Sequence, residues 1–190
     1  MRVIAGVHRG RRLLAPTGHT LRPTSDRVKE ALFSILGDRT QGARVLDLYA
    51  GTGAIGIEAM SRGAAHITFV EADQAACRIL HENLGRCQGT YDLHVCTSRV
   101  EQFLQHMPSW RGPYDIVFAD PPYAMTLDFI QLLDLLSHHG MTTHAVAMVE
   151  HGRKTALPSH VNTLLLHRRY EYGDTCLSLF HQNKKDRPSS

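Results

Sequence analysis

A chain of 190 residues with 43% hydrophobic content can fill one core, and its size points to a single domain. No apolar run approaches the roughly 20 residues of a membrane span, and the opening Met1-Arg2-Val3-Ile4-Ala5-Gly6-Val7-His8-Arg9 lacks an apolar segment of signal-peptide length, so a cytoplasmic location is expected. The four cysteines (Cys77, Cys87, Cys96, Cys176) form no C-x-x-C pair and the histidines no H-x-x-x-H or H-E-x-x-H pattern, which argues against a disulfide framework or a metal site.

The net charge of +3 is unevenly spread. Residues 1–29 carry Arg2, Arg9, Arg11, Arg12, Arg22, Arg27 and Lys29 against Asp26 alone, and residues 184–190 add a further net +2, so the body between them is acidic at −5. A basic arm on an acidic body suits a polyanion partner. A solvated cationic terminus explains the charge equally well at this level.

Residues 2–14 alternate loosely around Gly6 and Gly10, as a short hairpin or arm would, and Pro16, Gly18 and Pro23 then break the pattern. Thr24 or Ser25 can cap a helix carrying Val28, Ala31, Leu32 and Ile35 at helical spacing, with Gly37 at its end. From Arg44 the chain alternates strands and helices. Strands are expected at Val45–Tyr49, His66–Glu71, Leu93–Cys96, Tyr114–Ala119 and Ala145–Glu150, with helices over Ala54–Ser61, Gln74–Arg86, Val100–His106 and Leu127–Ser137. Thr163–Tyr172 and Thr175–Phe180 flank Gly173-Asp174, a turn suited to an antiparallel hairpin. The alternation implies a doubly wound, mostly parallel α/β sheet of seven strands closed by that hairpin.

In such sheets ligands bind beyond the carboxyl ends of the strands. Asp47, Gly51, Glu71, Ser98 and Asp120 fall at or just past those ends on four strands. Gly51-Thr52-Gly53-Ala54-Ile55-Gly56 matches G-x-G-x-x-G, and Glu71 follows at the distance of a ribose-binding acid. That element serves dinucleotides and S-adenosylmethionine alike. Asp47 favours the second, because a carboxylate beside the loop repels a pyrophosphate and attracts an ammonium group; it can also simply bind loop amides. Asp120-Pro121-Pro122-Tyr123 ends the fourth strand. Two prolines cannot extend a sheet ladder, so they form a stiff loop that presents a carboxylate and an aromatic face together. A flat polar ligand such as a nucleobase suits it, although a strand-ending turn with a packed tyrosine would look the same.

Asp47 to Gly56 together with Asp120–Tyr123 resembles the class I S-adenosylmethionine-dependent methyltransferases that act on exocyclic amino groups. Arg2–Gly6, Gly10–Leu13, Arg22-Pro-Thr-Ser-Asp-Arg-Val-Lys-Glu-Ala-Leu-Phe33, Ser61–Ala64 and Tyr172–Thr175 are similar, more specifically, to the RsmD family, bacterial enzymes that methylate N2 of a guanine in 16S ribosomal RNA. The resemblance spans roughly residues 2–180. It implies a Rossmann-like methyltransferase domain over 24–183, a basic arm over 1–23 and a disordered basic tail over 184–190. It implies Asp120, Pro121, Pro122 and Tyr123 as catalytic residues, and Asp47, Tyr49, Gly51, Thr52, Gly53, Glu71, Ala72, Ser98 and Arg99 as the cofactor site. RNA contacts would fall to Arg9, Arg11, Arg12, Arg22, Thr24 and Arg27. The implied protein is a monomer without metal that acts on 16S rRNA, free or within the small subunit or an assembly intermediate. Some family members have an acid after the third strand where this chain has Ser98-Arg99, which leaves adenine to a backbone amide or the Ser98 hydroxyl. Other amino-methyltransferase acceptors (adenine N6, a protein glutamine), a non-catalytic RNA-binding module and a dinucleotide oxidoreductase are the competing readings.

Overall fold

The computed structural model describes residues 1–15, 26–105, 110–122, 129–138 and 141–183. Five strands, β1 (Arg44–Leu48), β2 (His66–Glu71), β3 (Asp92–Thr97), β4 (Tyr114–Ala119) and β5 (Met141–Gly152), pair in parallel. Three more, β6 (His160–Val161), β7 (Leu164–Tyr172) and β8 (Thr175–Gln182), join them antiparallel. The sheet order is β3-β2-β1-β4-β5-β8-β7-β6. Among the described residues the sheet has eight strands rather than the expected seven. The extra strand is the two-residue β6, which folds back on β7 around Asn162 (φ 47°) and is too short to leave a periodic signal.

The helices are α1 (Asp26–Leu36), α2 (Ala54–Ser61), α3 (Gln74–Gly85), α4 (Val100–Gln105) and α5 (Phe129–His138). Parallel strands covered on both faces must be apolar throughout, and β1 and β4 are. Alternation then sorts their side chains. Val45, Ile116 and Phe118 pack with α1, α2 and α3, whereas Leu46, Leu48, Val117 and Ala119 pack with α4 and α5. α2 is buried along its whole length, which explains why its sequence lacks an amphipathic stripe. On α1 the buried residues are Val28, Lys29, Leu32, Phe33 and Leu36, so the packed stripe is rotated from Ala31 and Ile35 and admits a lysine.

Residues 1–13 form a hairpin-like loop closed by an Arg2–Arg12 bridge and by Val3–Arg11, Gly10–Val3 and Leu13–Met1 hydrogen bonds. It is fastened to α2. Both oxygens of Glu58 accept arm amides, from Ile4 at 2.7 Å and Ala5 at 3.0 Å. Ser61 accepts the Val7 amide on its carbonyl and the His8 amide on Oγ. Val3 and Leu13 are buried in the main core.

Candidate active site

The strand order reverses between β1 and β4, and the crevice at such a switch point is the usual ligand site of a doubly wound sheet. The register fixes what lines it. Leu48 pairs with Val70 on one side and Ala119 on the other, so Glu71, Tyr49 and Asp120 occupy the next row. With strands about 4.8 Å apart, the Glu71 and Asp120 backbones lie about 10 Å apart across that row. Asp47, one row below Leu48, pairs with Phe69 and Phe118, on the strand faces that continue to Glu71 and Asp120. Three carboxylates from three adjacent strands therefore converge on the start of α2.

That start is unusual. Its N-cap is Gly53 in a left-handed conformation (φ 83°), which offers no capping side chain. Asp47 substitutes: its Oδ2 accepts the Gly56 amide at 2.8 Å and satisfies one of the unpaired N–H groups of the first turn. The sequence alternative, an acid binding loop amides, is thus realised. It does not exhaust the residue, since that contact engages Oδ2 alone. Asp47 is fully buried, and burial pushes its carboxyl up to about 7; the Gly56 hydrogen bond opposes that, while the charges of Asp120 and Glu71 reinforce it. No positive group contributes.

Glu71 grips the glycine turn directly. Its Oε2 accepts the Gly51 amide at 2.7 Å and its Oε1 the Asp73 amide, also at 2.7 Å. Each carboxylate oxygen keeps a second lone pair for a ligand hydroxyl. Gly51 (φ 55°) needs the left-handed region, and a side chain built on it would meet nothing nearer than the Tyr49 carbonyl at 4.0 Å, so the protein leaves that space open. A Cβ on Gly56 would instead meet the Phe69 ring at 2.2 Å, and this glycine serves helix–strand packing.

Thr52 is buried beneath the turn, Ala72 is exposed just past β2, and Tyr49 (φ 59°) is half-buried beside the row of acids. Burial, with the charge of Glu101, raises the Tyr49 hydroxyl well above its ordinary range and keeps it a neutral donor. After β3 the Ser98 amide is already committed to the Glu71 carbonyl at 3.0 Å, and its hydroxyl lies 3.1 Å from the Arg99 carbonyl. The Ser98 amide is thus spent, while its hydroxyl keeps capacity as an acceptor. Asp120 is half-buried, Pro121 buried and Pro122 exposed. Tyr123, Arg22, Thr24 and the 184–190 tail lie outside the described residues. Arg9 and Arg12 are exposed on the arm, Arg11 is half-buried there, and Arg27 is exposed on α1. The arginines are not gathered into the crevice; they belong to the side of the sheet that carries the arm.

Three further polar residues tie these parts together. Glu58 sits in the apolar helix Ala-Ile-Gly-Ile-Glu-Ala-Met-Ser and holds the arm, buried Lys29 at 3.7 Å and Arg62 at 2.8 Å. Ser61 anchors the arm's turn, where a side chain on Gly6 would collide with the Ser61 carbonyl. Asn83, wholly buried on α3, accepts the Leu14 amide at 2.7 Å and donates to the Leu14 carbonyl at 3.2 Å and the Thr52 carbonyl at 3.0 Å. It joins the end of the arm to the glycine turn. An acid inside a buried helix was a legible warning for Glu58, and Ser61 opens the Ser61–Ala64 stretch of the family resemblance; Asn83 carried no local signal.

An acidic crevice with an open backbone turn suits a ligand carrying positive charge, hydroxyls and a closely approaching chain. S-adenosylmethionine has a sulfonium, an ammonium and a ribose, and the residues fit it; a pyrophosphate would face three carboxylates. Among the described residues no group of three His, Cys, Asp or Glu is arranged to hold a metal ion, and no helix is long and apolar enough to cross a membrane. Fold and site together define a Rossmann-like class I methyltransferase.

A family model described as Conserved hypothetical protein 95 matches residues 1–181. Ribosomal RNA small subunit methyltransferase D of Escherichia coli (strain K12) is 36% identical over 183 residues, 96% of this chain and 90% of that one. The solved structure of yhhF from Escherichia coli is similar with a TM-score of 0.84 at 36% identity, covering 97% of this chain and 99% of that one. That of the protein TTHA0928 from Thermus thermophilus reaches 0.79 at 31% identity, covering 94% and 98%. The chain belongs to this family, the RsmD family of methyltransferases.

Proposed function

We propose that the protein transfers a methyl group from S-adenosylmethionine to the exocyclic N2 of a guanine in 16S ribosomal RNA. The observation that carries this reading is the row formed by Glu71, Tyr49 and Asp120, which sets a cation-seeking crevice beside a proline-stiffened carboxylate. The likeness to the Escherichia coli small-subunit enzyme supports the choice of RNA.

When bound, S-adenosylmethionine supplies a methyl group already activated by its sulfonium. Asp47 would hold its ammonium end, Glu71 its ribose hydroxyls, and the Gly51–Gly53 backbone the chain between them. Asp120 and the Pro121 carbonyl accept the two hydrogens of the guanine amino group, which turns its lone pair out of the ring plane and toward the donor. The Asp120 charge then stabilises the positive charge growing on that nitrogen, and the proton leaves afterwards without a strong base. Tyr123 stacks on the base, worth ~1–3 kcal/mol. The target base must be splayed from its neighbours to reach such a site.

The test is incubation of the protein with methyl-labelled S-adenosylmethionine and, in parallel, small ribosomal subunits, naked 16S rRNA and duplex DNA. Label in either ribosomal substrate and none in DNA is expected; label in DNA alone overturns the reading. The arm's role needs a gentler probe than truncation, because Val3 and Leu13 are core residues. Replacing exposed Arg9 and Arg12 with glutamine should leave the fold intact, weaken RNA binding several-fold and reduce its salt slope by about one to two. An unchanged slope would remove the arm from the RNA contact.

A further inference from the structure

The sheet carries a second concave site, remote from the crevice. Val146 on β5 pairs with Ile116, four residues before Asp120, so this site lies about 13 Å back along the strands from the acidic row. Here the end of α1 and the turn after it meet the uncovered side of β7 and β8. A hollow of about 170 Å³ opens between them, with Arg39, His167, His181 and Tyr170 around a floor that includes Leu36 and Val146.

Local geometry brings the imidazoles together. β7 and β8 are in step at Leu166–Phe180 and again at Arg168–Leu179, which leaves His167 as the extra residue of a bulge. A bulge redirects the side chain it carries, and the His167 ring lies 4.4 Å from that of His181, tilted by 30°. The groups facing them are Arg39 after α1, whose guanidinium reaches the His144 carbonyl of β5 at 3.5 Å, and Tyr170 on β7. No carboxylate lines the hollow among the described residues. Burial holds the His181 imidazole below its ordinary 6.5, and the charges of His167 and Arg39 add to that effect. Three nitrogen bases and cations thus crowd one hollow in the part of the chain that is otherwise net acidic.

The position links the hollow to the arm. Arm residues Val3 and Leu13 share a core with α1, Val146 and Leu179, so arm and hollow lie on one side of the sheet. Arg2 pairs with Asp26 at the start of α1, at 3.7 Å, and the hollow sits at its end. Eleven residues of helix separate the two by about 16 Å. The exposed charges on the helix between them are Asp26, Arg27 and Glu30.

We propose that Arg39, His167 and His181 form a phosphate subsite for the RNA substrate, on the side of the sheet that carries the arm. The subsite rests on the reading of the protein as an RNA methyltransferase. The guanidinium and the imidazole N–H groups donate to one backbone phosphate, and the anion draws protons onto the imidazoles. RNA affinity therefore strengthens as pH falls, because burial holds the His181 imidazole below its ordinary range in the free protein and the bound anion opposes that shift.

The experiment measures binding of a 16S rRNA transcript by wild type and by the Arg39→Gln, His181→Gln and double variants, at pH 6 and pH 8, over a salt series. Melting curves confirm that each variant folds. The double variant should bind about tenfold more weakly at pH 6, with a salt slope lower by about one and most of its pH dependence gone. Methyl transfer at saturating RNA should stay at the wild-type rate while KM for RNA rises. Titration of inorganic phosphate, followed by the imidazole proton resonances, separates the sources. Shifts of both rings with weakened RNA binding in the variants support the proposal. Shifts with RNA binding unaffected would assign the hollow to a free anion and overturn it. A wild type that binds RNA no differently from the double variant overturns the subsite alone, whereas a wild type that binds no RNA overturns the functional reading as well.

Discussion

Replacing Asp120 with alanine is expected to lower methyl transfer by about 10²–10³-fold while S-adenosylmethionine affinity stays within about threefold of wild type. The asymmetry follows from position. Asp120 leaves β4 one residue past Ala119, on the side of β1 away from β2, whereas the groups that grip the glycine turn belong to β1 and β2. In the proposed mechanism it acts on the acceptor, where a fixed carboxylate would stabilise charge that exists only in the transition state. Asparagine keeps an acceptor oxygen but not the charge, so Asp120→Asn should fall between alanine and wild type. Single-turnover rates with pre-bound cofactor, set beside calorimetric titrations of the cofactor, make the comparison. Near-normal turnover in Asp120→Ala would remove this residue from the chemistry.

The second large effect belongs to Asp47. Its carboxyl is raised from 3.8 to about 7 in the folded protein, chiefly by burial. The folded state thus holds a proton that the unfolded chain releases at low pH. The stability of the cofactor-free protein falls as pH rises between those two values, and the penalty is complete above about pH 7. A cationic ligand reverses the preference, because it favours the ionised form. Cofactor affinity should therefore rise with pH through about 7, with release of a proton on binding below it. Asp47→Asn can still accept the Gly56 amide and cap α2, so it should fold and should melt above wild type at pH 8 without cofactor. It should bind S-adenosylmethionine at least ten- to a hundredfold more weakly, the worth of a charge-assisted hydrogen bond of about 1.5–3 kcal/mol. Its affinity should lose the pH dependence. A variant that binds as tightly as wild type at pH 8 would assign Asp47 to helix capping alone.

These two residues were legible because the signals they depend on are local. Apolar runs ending in Asp47, Glu71 and Asp120 mark strand ends, and a doubly wound sheet places such ends together. The glycine spacing marked the turn between β1 and α2. What was hidden depends on distant pairing. Nothing near Glu71 announces that it holds the Gly51 amide twenty residues upstream, and Asn83 resembles any helical asparagine until Leu14 and Thr52 are beside it. Glu58 stood out in an apolar helix, yet its partners Ile4 and Ala5 are more than fifty residues away. The two-residue β6 exists only because β7 offers it an edge, and the bulge that exposes His167 is a mismatch between strands rather than a property of either.

The arm is consequently less separable than its composition suggested. Glu58, Ser61 and Asn83 hold it against α2 and α3, and the Asn83 side chain makes its last contact on the Thr52 carbonyl of the glycine turn. If the arm holds RNA as proposed, its seating and that of the donor on the turn share this connection, and any coupling between them is reciprocal.

The central claim is the identity of the methylated atom. Small ribosomal subunits or 16S rRNA modified by the protein, digested to nucleosides and separated against standards, give a direct reading. A single new product, N2-methylguanosine, is expected, absent when Asp120→Ala replaces the wild type. N6-methyladenosine, or any other methylated nucleoside in its place, would contradict it.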